Sequence, residues 1–310
     1  MKVIFMGTPD FAVGALDAIV EAGHEVVLVV TQEDKPKGRG KEIQFTPVKE
    51  AAIRHNIDVY QPHRVKNEDA VSKLREYNAD VFVVAAYGQI LSKELLDMPK
   101  YGCVNIHASL LPKYRGAAPI QWSIIDGEKI TGVTTQMMAE GIDTGDILDV
   151  IEVPIACDET GGSLFDKLTK AGSEVILTTL EKIENGTVTR VPQDHSKSTY
   201  AKMLDKKLGD IDFSKEAEVI ERLVRGLNPW PSAYTSYKGK TLKIWRAEVI
   251  DKEYDGDFGQ IVDKTKKAII VKTGKGALAI TELQLEGKKR MTTEAFLCGA
   301  GFEDNAVLGA

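Results

Sequence analysis

An amide and an imidazole stand two residues apart in the segment Cys103-Val104-Asn105-Ile106-His107-Ala108-Ser109-Leu110-Leu111-Pro112. Apolar Val104 and Ile106 alternate with Asn105 and His107, so a strand of period two puts both polar side chains on one face. A carboxamide N–H can stabilise an oxyanion and an imidazole can manage a proton, a pairing that suits acyl transfer. A carboxylate able to join them stands in Gly141-Ile142-Asp143-Thr144-Gly145-Asp146. The flanking glycines permit a tight turn, from which Asp143 could orient or charge-stabilise a neighbouring imidazole. Asp146 could do the same but begins the next strand. The other histidines, His24, His55, His63 and His195, fall in helix ends, turns or a polar linker and read as structural or solvated.

These residues need a scaffold, and the chain supplies one. Val3 to Met6 is a short apolar run, followed by Gly7-Thr8-Pro9-Asp10 and then Phe11, Ala12, Leu16, Ile19 and Val20 at helical spacing. Thr8 is expected to cap that helix and Pro9 to occupy its first position. Val26 to Val30 reads as a fully apolar strand, completing a βαβ unit with parallel strands. Helical patterns at Pro47 to His55 and Asp69 to Tyr77 alternate with strands at Ile57 to Tyr60, Val81 to Ala86 and Cys103 to His107. This predicts an α/β fold with a doubly wound sheet, and Asn105 and His107 lie at the carboxyl end of a strand, where such sheets bind ligands. Gly7 is followed by Thr8 and Pro9, so the G-x-G-x-x-G fingerprint of dinucleotide binding is missing. Residues 191–207 turn polar and read as a linker between a domain at 1–190 and another at 208–310. In the latter, a helix at Lys215 to Arg225 precedes short strands punctuated by Gly239, Gly274 and Gly276, a spacing that suggests a small β-barrel.

Bulk properties exclude several classes. Of the 310 residues, 43% are hydrophobic and 28% charged, ordinary for a soluble globular protein. No run approaches the roughly 20 apolar residues of a membrane span, and no secretion signal is expected. Cys103, Cys157 and Cys298 form no CxxC pair, which fits a reducing cytoplasm and predicts neither disulfides nor a zinc site. The net charge of −6 sits outside the near-neutral stretch from Lys207 onward, so it does not decide nucleic-acid binding.

Further segments accompany the amide–imidazole strand and the aspartate loop: Tyr114-Arg115-Gly116-Ala117-Ala118-Pro119-Ile120 and Gly132-Val133-Thr134. With these, the chain resembles the 10-formyltetrahydrofolate-dependent formyltransferases over essentially its whole length. Met6 to Ala12, Gly38-Arg39-Gly40-Lys41 and Asn228-Pro229-Trp230-Pro231 are similar to the members that act on initiator tRNA. The resemblance implies a Rossmann-like catalytic domain and a C-terminal OB-like barrel that binds tRNA. It implies 10-formyltetrahydrofolate as co-substrate, methionyl-initiator tRNA as acceptor, a cytoplasmic role in translation initiation, no membrane partner and no metal. Carried over by position, Asn105, His107 and Asp143 form the catalytic trio. Ser109, Leu110, Leu111 and Pro112 line the folate site, with the Val84 to Gln89 segment, including Tyr87, Gly88 and Gln89, around the pterin. The segment Gln32 to Thr46, with Lys35, Lys37, Arg39 and Lys41, enters the acceptor stem, Arg39 making the main contact; Gly38 and Gly40 keep it flexible and Phe45 anchors its far end. Lys206 and neighbouring lysines add phosphate contacts. One departure is Glu33, where a proline is common in the family.

Two other readings stay open on the residues alone. One keeps the donor but changes the acceptor to a nucleotide-sugar amine, glycinamide ribonucleotide or water; the basic loop and second domain argue against it. The other is a non-catalytic folate- or RNA-binding module, which needs no such trio.

Overall fold

The computed structural model describes residues 1–37, 42–299 and 301–309. In chain order the elements are β1 (Lys2–Gly7), α1 (Asp10–Glu21), β2 (Glu25–Val30), β3 (Lys35–Lys37), β4 (Glu42–Gln44), α2 (Pro47–Arg54), β5 (Val59–Tyr60), α3 (Glu68–Glu76), β6 (Val81–Ala85), α4 (Lys93–Leu96), β7 (Cys103–His107), β8 (Arg115–Gly116), α5 (Pro119–Ile125), β9 (Ile130–Met137), β10 (Ile147–Pro154), α6 (Gly161–Glu184), β11 (Tyr200–Ala201), α7 (Ala217–Gly226), β12 (Ala233–Tyr237), β13 (Lys240–Ile250), β14 (Ile261–Lys264), β15 (Ile269–Lys272), β16 (Ala277–Leu285), β17 (Met291–Thr292) and α8 (Thr293–Gly299). They form two compact units, Met1–Pro119 with Ile130–Pro154 and Phe165–Ala201, and Ile120–Lys129 with Ile155–Leu164 and Lys202–Ala310.

The first unit is built on a seven-stranded sheet in the order β10-β9-β7-β6-β1-β2-β5. The five strands from β7 to β5 are parallel, and β9 and β10 continue the sheet antiparallel. The apolar runs explain the parallel part: Val3 to Met6 and Val81 to Ala85 are all buried, as strands covered on both faces must be. The chain lays β2 and β5 on one side of β1 and β6 and β7 on the other, a reversal that opens a crevice beyond the strand ends. In α1, Phe11, Ala12, Ala15, Leu16 and Ile19 are buried at helical spacing. The expected cap is not made there. Pro9 is the capping residue and the helix starts at Asp10. Thr8 instead donates its hydroxyl to the Tyr87 carbonyl at 2.9 Å, a backbone acceptor just past β6.

Sequence reading proposed no helix over Gly161–Glu184, yet α6 is 24 residues long. Leu164, Leu168, Val175, Ile176, Leu180 and Ile183 are buried along one stripe. Glycines and hydroxyl residues, poor helix formers, mask that stripe locally. The hydroxyls of Thr169, Ser173 and Thr179 are absorbed by carbonyls four residues earlier, at 2.9, 3.1 and 2.9 Å.

The second unit holds a six-stranded antiparallel sheet in the order β12-β13-β16-β15-β14, with β17 beside β16. Its core gathers Ile220 and Val224 of α7, Leu242, Ile244, Ile269, Val271, Leu278 and Ile280 of the sheet, and Phe296 of α8. Alternation of buried and half-buried residues along β12 marks a sheet with one face on the core. No ladder among the described residues joins β12 to β14. Two segments from between β8 and α6 belong to this unit. Arg222 Nε donates to the Ile125 carbonyl at 3.2 Å and Arg225 Nη1 to the Glu159 carbonyl at 2.8 Å, which draws residues 120–129 and 155–164 onto α7. Residues 191–201, read from sequence as linker, belong to the first unit. Among the described residues no helix is long and apolar enough to cross a membrane.

Candidate active site

Asn105 and His107 sit on β7, opposite Gln136 and Thr134 of antiparallel β9 and, at Asn105, beside Val84 of parallel β6. Val104 and Ile106 are buried in the core, which turns Asn105 and His107 to the other face as the alternation predicts. The Asp143 loop folds back onto the end of β9. The Met137 N–H donates to the Asp146 carbonyl at 2.8 Å, and Gly145 lies so close that an added Cβ would come 1.7 Å from the Met137 carbonyl oxygen. Only glycine permits that approach. Asp143 itself adopts a φ of 52°.

This closure brings the three expected residues together. Asn105 Nδ2 lies 3.4 Å from Asp143 Oδ1, and His107 Nδ1 lies 3.6 Å from Asp143 Oδ2. The carboxylate has two further donors. Gln136 Nε2 reaches Oδ1 at 2.9 Å, and the Gly116 N–H reaches Oδ2 at 2.8 Å. The other side of the imidazole is fixed as well. His107 Nε2 is 2.8 Å from the Tyr114 carbonyl, which can only accept, so this nitrogen carries the hydrogen. Tyr114 and Gly116 take positive φ values of 58° and 105°, the bend that presents first a carbonyl and then an N–H to the site. At Gly116 a Cβ would meet the Ala201 carbonyl at 2.9 Å, because β8 pairs with β11. The ring and carboxylate are largely shielded, whereas Asn105 is half-exposed and spends its amide on one long contact. A stretched hydrogen bond leaves that donor available to an incoming acceptor. The cluster therefore offers an N–H donor, an oriented imidazole and a carboxylate side by side, the set needed where an acyl oxygen gains negative charge.

Sequence reading missed Gln136 and Gln193. Gln136 is 1% exposed and Gln193 6%. Gln136 lies on β9, whose residues from Thr131 to Gln136 are all buried. Gln193 lay in a polar stretch with nothing to distinguish it from solvated linker.

The expected folate residues are placed as follows. Ser109 is fully buried, its hydroxyl donating to the Lys113 carbonyl at 2.7 Å. Thr134 Oγ1 donates to the Ser109 carbonyl at 2.7 Å and accepts from the Leu111 N–H at 3.2 Å, pinning the turn beyond β7. Leu110 and Pro112 are half-exposed and Leu111 is buried. Tyr87 lies in the core with Ile4, Leu28, Val65 and Leu74, and burial pushes its phenol pKa up. Gln89 braces a neighbouring loop, accepting from the Val65 N–H at 2.8 Å and donating to the Pro62 carbonyl at 3.2 Å. Of that segment, Ala86 and Gly88 are exposed, both at positive φ.

The basic segment expected to be one flexible loop carries a short antiparallel ladder, β3 with β4, pairing Lys35, Pro36 and Lys37 with Gln44, Ile43 and Glu42. Lys35 is exposed on it, and Lys37 lies in β3. Arg39 and Lys41 lie outside the described residues. Phe45 does not anchor the far end by burial, since it is 47% exposed beneath the Lys49 ammonium. The anchor is polar: Thr31 and Thr46 share a hydroxyl bond of 2.8 Å, and Lys49 pairs with Asp34 while donating to Gln61 at 2.9 Å. Burial opposes ionisation of Asp34, but hydrogen bonds from Lys49 and Gln61 outweigh it and hold its pKa below the usual carboxylate value. Lys206 is exposed in the second unit.

Fold and site together define an acyl-transfer enzyme of formyl transferase type. Residues 1–180 match the family model described as formyl transferase, and residues 203–301 match the formyl transferase C-terminal domain. A methionyl-tRNA formyltransferase of Agathobacter rectalis is 57% identical over 306 residues, which cover 99% of this chain and 99% of that protein. The chain therefore belongs to the formyl transferase family, among the methionyl-tRNA formyltransferases. Solved structures share the fold at lower identity. An N-formyltransferase from Helicobacter canadensis, in complex with folinic acid and dTDP-3-aminofucose, has a TM-score of 0.69 at 19% identity, over 94% of this chain and 100% of that one. HypX from Aquifex aeolicus in complex with tetrahydrofolic acid has a TM-score of 0.63 at 19% identity; 96% of this chain matches 47% of that one, so the protein spans about half its length.

Proposed function

We infer that the protein transfers the formyl group of 10-formyltetrahydrofolate to the free amine of methionyl-initiator tRNA. One observation carries this reading: full-length identity of 57% to a methionyl-tRNA formyltransferase coincides with an amide, an imidazole and a carboxylate gathered at the end of β7. The donor presents an amide-like formyl carbon. The amine nitrogen bonds to that carbon, the carbon–folate nitrogen bond breaks, and a proton passes from the amine to the folate nitrogen. As the amine adds, negative charge grows on the formyl oxygen. Asn105 donates its unspent N–H to that oxygen, and one such donor is worth roughly 3–4 kcal/mol. His107 sits beside it, held by the Tyr114 carbonyl and facing the Asp143 carboxylate, which supports positive charge on the ring as the transition state forms. Ser109 to Pro112 and the exposed backbone at Ala86 and Gly88 form the folate wall in this reading.

Residues 1–190 act as the catalytic domain and residues 208–310 as the tRNA-binding domain, whose six-stranded sheet we read as OB-like. Lys35, Lys37, Arg39, Lys41 and Lys206 supply phosphate contacts. The decisive experiment offers the formyl donor with methionyl-initiator tRNA and, in parallel, with a nucleotide-sugar amine, glycinamide ribonucleotide and no acceptor. Formyl appears on the charged tRNA alone if the reading holds. Preferred formylation of a small amine, or donor hydrolysis without acceptor, would overturn it.

A further inference from the structure

Gln193 is buried, lies outside the trio of Asn105, His107 and Asp143, and spends both ends of its carboxamide on residues around the site. Its Nε2 donates to the Asp143 carbonyl at 2.9 Å and to the Gly145 carbonyl at 2.7 Å. Its Oε1 accepts from Arg115 Nε at 3.2 Å and Nη2 at 2.6 Å. The orientation follows from the partners, because carbonyls only accept and a guanidinium only donates. Arg115 is itself buried and stands between Tyr114, whose carbonyl holds His107, and Gly116, whose N–H holds the Asp143 carboxylate. Arg115 Nη2 also donates to His195 Nδ1 at 2.9 Å. The segment carrying Gln193 is tied down on both sides. Val191 and Ile147 exchange backbone hydrogen bonds of 2.8 and 2.9 Å, and the Thr199 hydroxyl and carbonyl take the N–H groups of Tyr114 and Arg115 at 2.8 and 2.9 Å.

One side chain thus joins the loop that bears the carboxylate to the bend that orients both carboxylate and imidazole. We infer that Gln193 is a positioning residue for the reaction: with Arg115 as its support, it holds the Asp143 loop against the Asn105–His107 strand. No sheet ladder runs across Asp143 to Gly145, and the carbonyls of both residues are taken by Gln193 instead. Without the clamp, Asp143 stays in the neighbourhood of the site but loses its register with His107, and a misplacement of about 1 Å can cost about 10²-fold in rate. The inference rests on the reading of Asn105, His107 and Asp143 as the reacting cluster.

The test is Gln193→Met, which keeps the volume and removes every hydrogen bond. Turnover should fall by about tenfold or more, while KM for the formyl donor and for charged tRNA stays within about threefold of wild type. A side chain that only filled space or stabilised the fold would give wild-type turnover, or would damage KM and kcat in the same proportion. Either outcome overturns the inference. If Gln193→Met does not fold, Gln193→Glu carries the test, because it keeps the acceptor for Arg115 and removes the donors to both carbonyls; the same split is expected. Asp143→Asn is measured alongside. Wild-type turnover in Asp143→Asn would sink the reading of the trio, whereas impaired Asp143→Asn with unimpaired Gln193→Met would sink the positioning role alone.

Discussion

The Asp143 cluster and the β3–β4 ribbon are both polar, and both are tied to the same sheet, yet they are built differently. Around Asp143, the carboxylate meets two side-chain amides, a backbone N–H and an imidazole, and Gln136 and Gln193 are almost entirely buried. Along the ribbon, side-chain hydrogen bonds gather at its base, at Thr31, Asp34, Thr46, Lys49 and Gln61, and Lys35, Ile43 and Gln44 are exposed. The contrast fits the two tasks proposed for these regions. Stabilising charge on one oxygen needs donors fixed to a fraction of an ångström. Attracting a phosphate backbone needs only positive charge with enough reach, because the interaction is long-ranged and indifferent to sequence.

Mutations should separate the two regions by size of effect. The largest is expected for Asn105→Ala and His107→Ala, each losing about 10²-fold or more in turnover while remaining folded. Steady-state kinetics beside a denaturant titration measures both, and near-wild-type turnover in either variant would erase the distinction. Gly145→Ala comes next. The added methyl must push the loop off the Met137 carbonyl, so activity should drop together with about 1–3 kcal/mol of stability. An active Gly145→Ala enzyme would show that the loop works without its tight closure. The smallest effect belongs to the ribbon. Lys35→Ala should raise KM for tRNA by only a few-fold and reduce the dependence of log KM on log salt by about one charge's worth. A flat salt dependence in the wild type would remove the electrostatic role altogether.

Several features were legible because they are local. The alternation around Asn105 and His107 required nothing beyond the period of a strand, and the fully apolar runs at β1, β2 and β6 announced a sheet covered on both faces. The tight aspartate loop could be read from its glycines. Other features depended on partners distant in sequence. Thr8 looked like a helix cap until the Tyr87 carbonyl, 79 residues away, took its hydroxyl. Tyr87 and Gln89 were expected beside the pterin, but core packing and a neighbouring loop claim their side chains. The stripe of α6 was diluted by residues whose hydroxyls turn back on the helix itself.

The sequence by itself determined which groups are available and on which face of which element they lie, because side-chain chemistry and backbone periodicity are local properties. It also determined the resemblance that points to formyl transfer. Only the tertiary structure decided that Asp143 reaches the strand 38 residues before it, that Gln136 and Gln193 complete its surroundings, and that residues 120–129 and 155–164 belong with α7. Such pairings satisfy buried polar groups that have no local partner, and the cost of leaving one unsatisfied, about 1–3 kcal/mol, is settled only when distant segments close on each other.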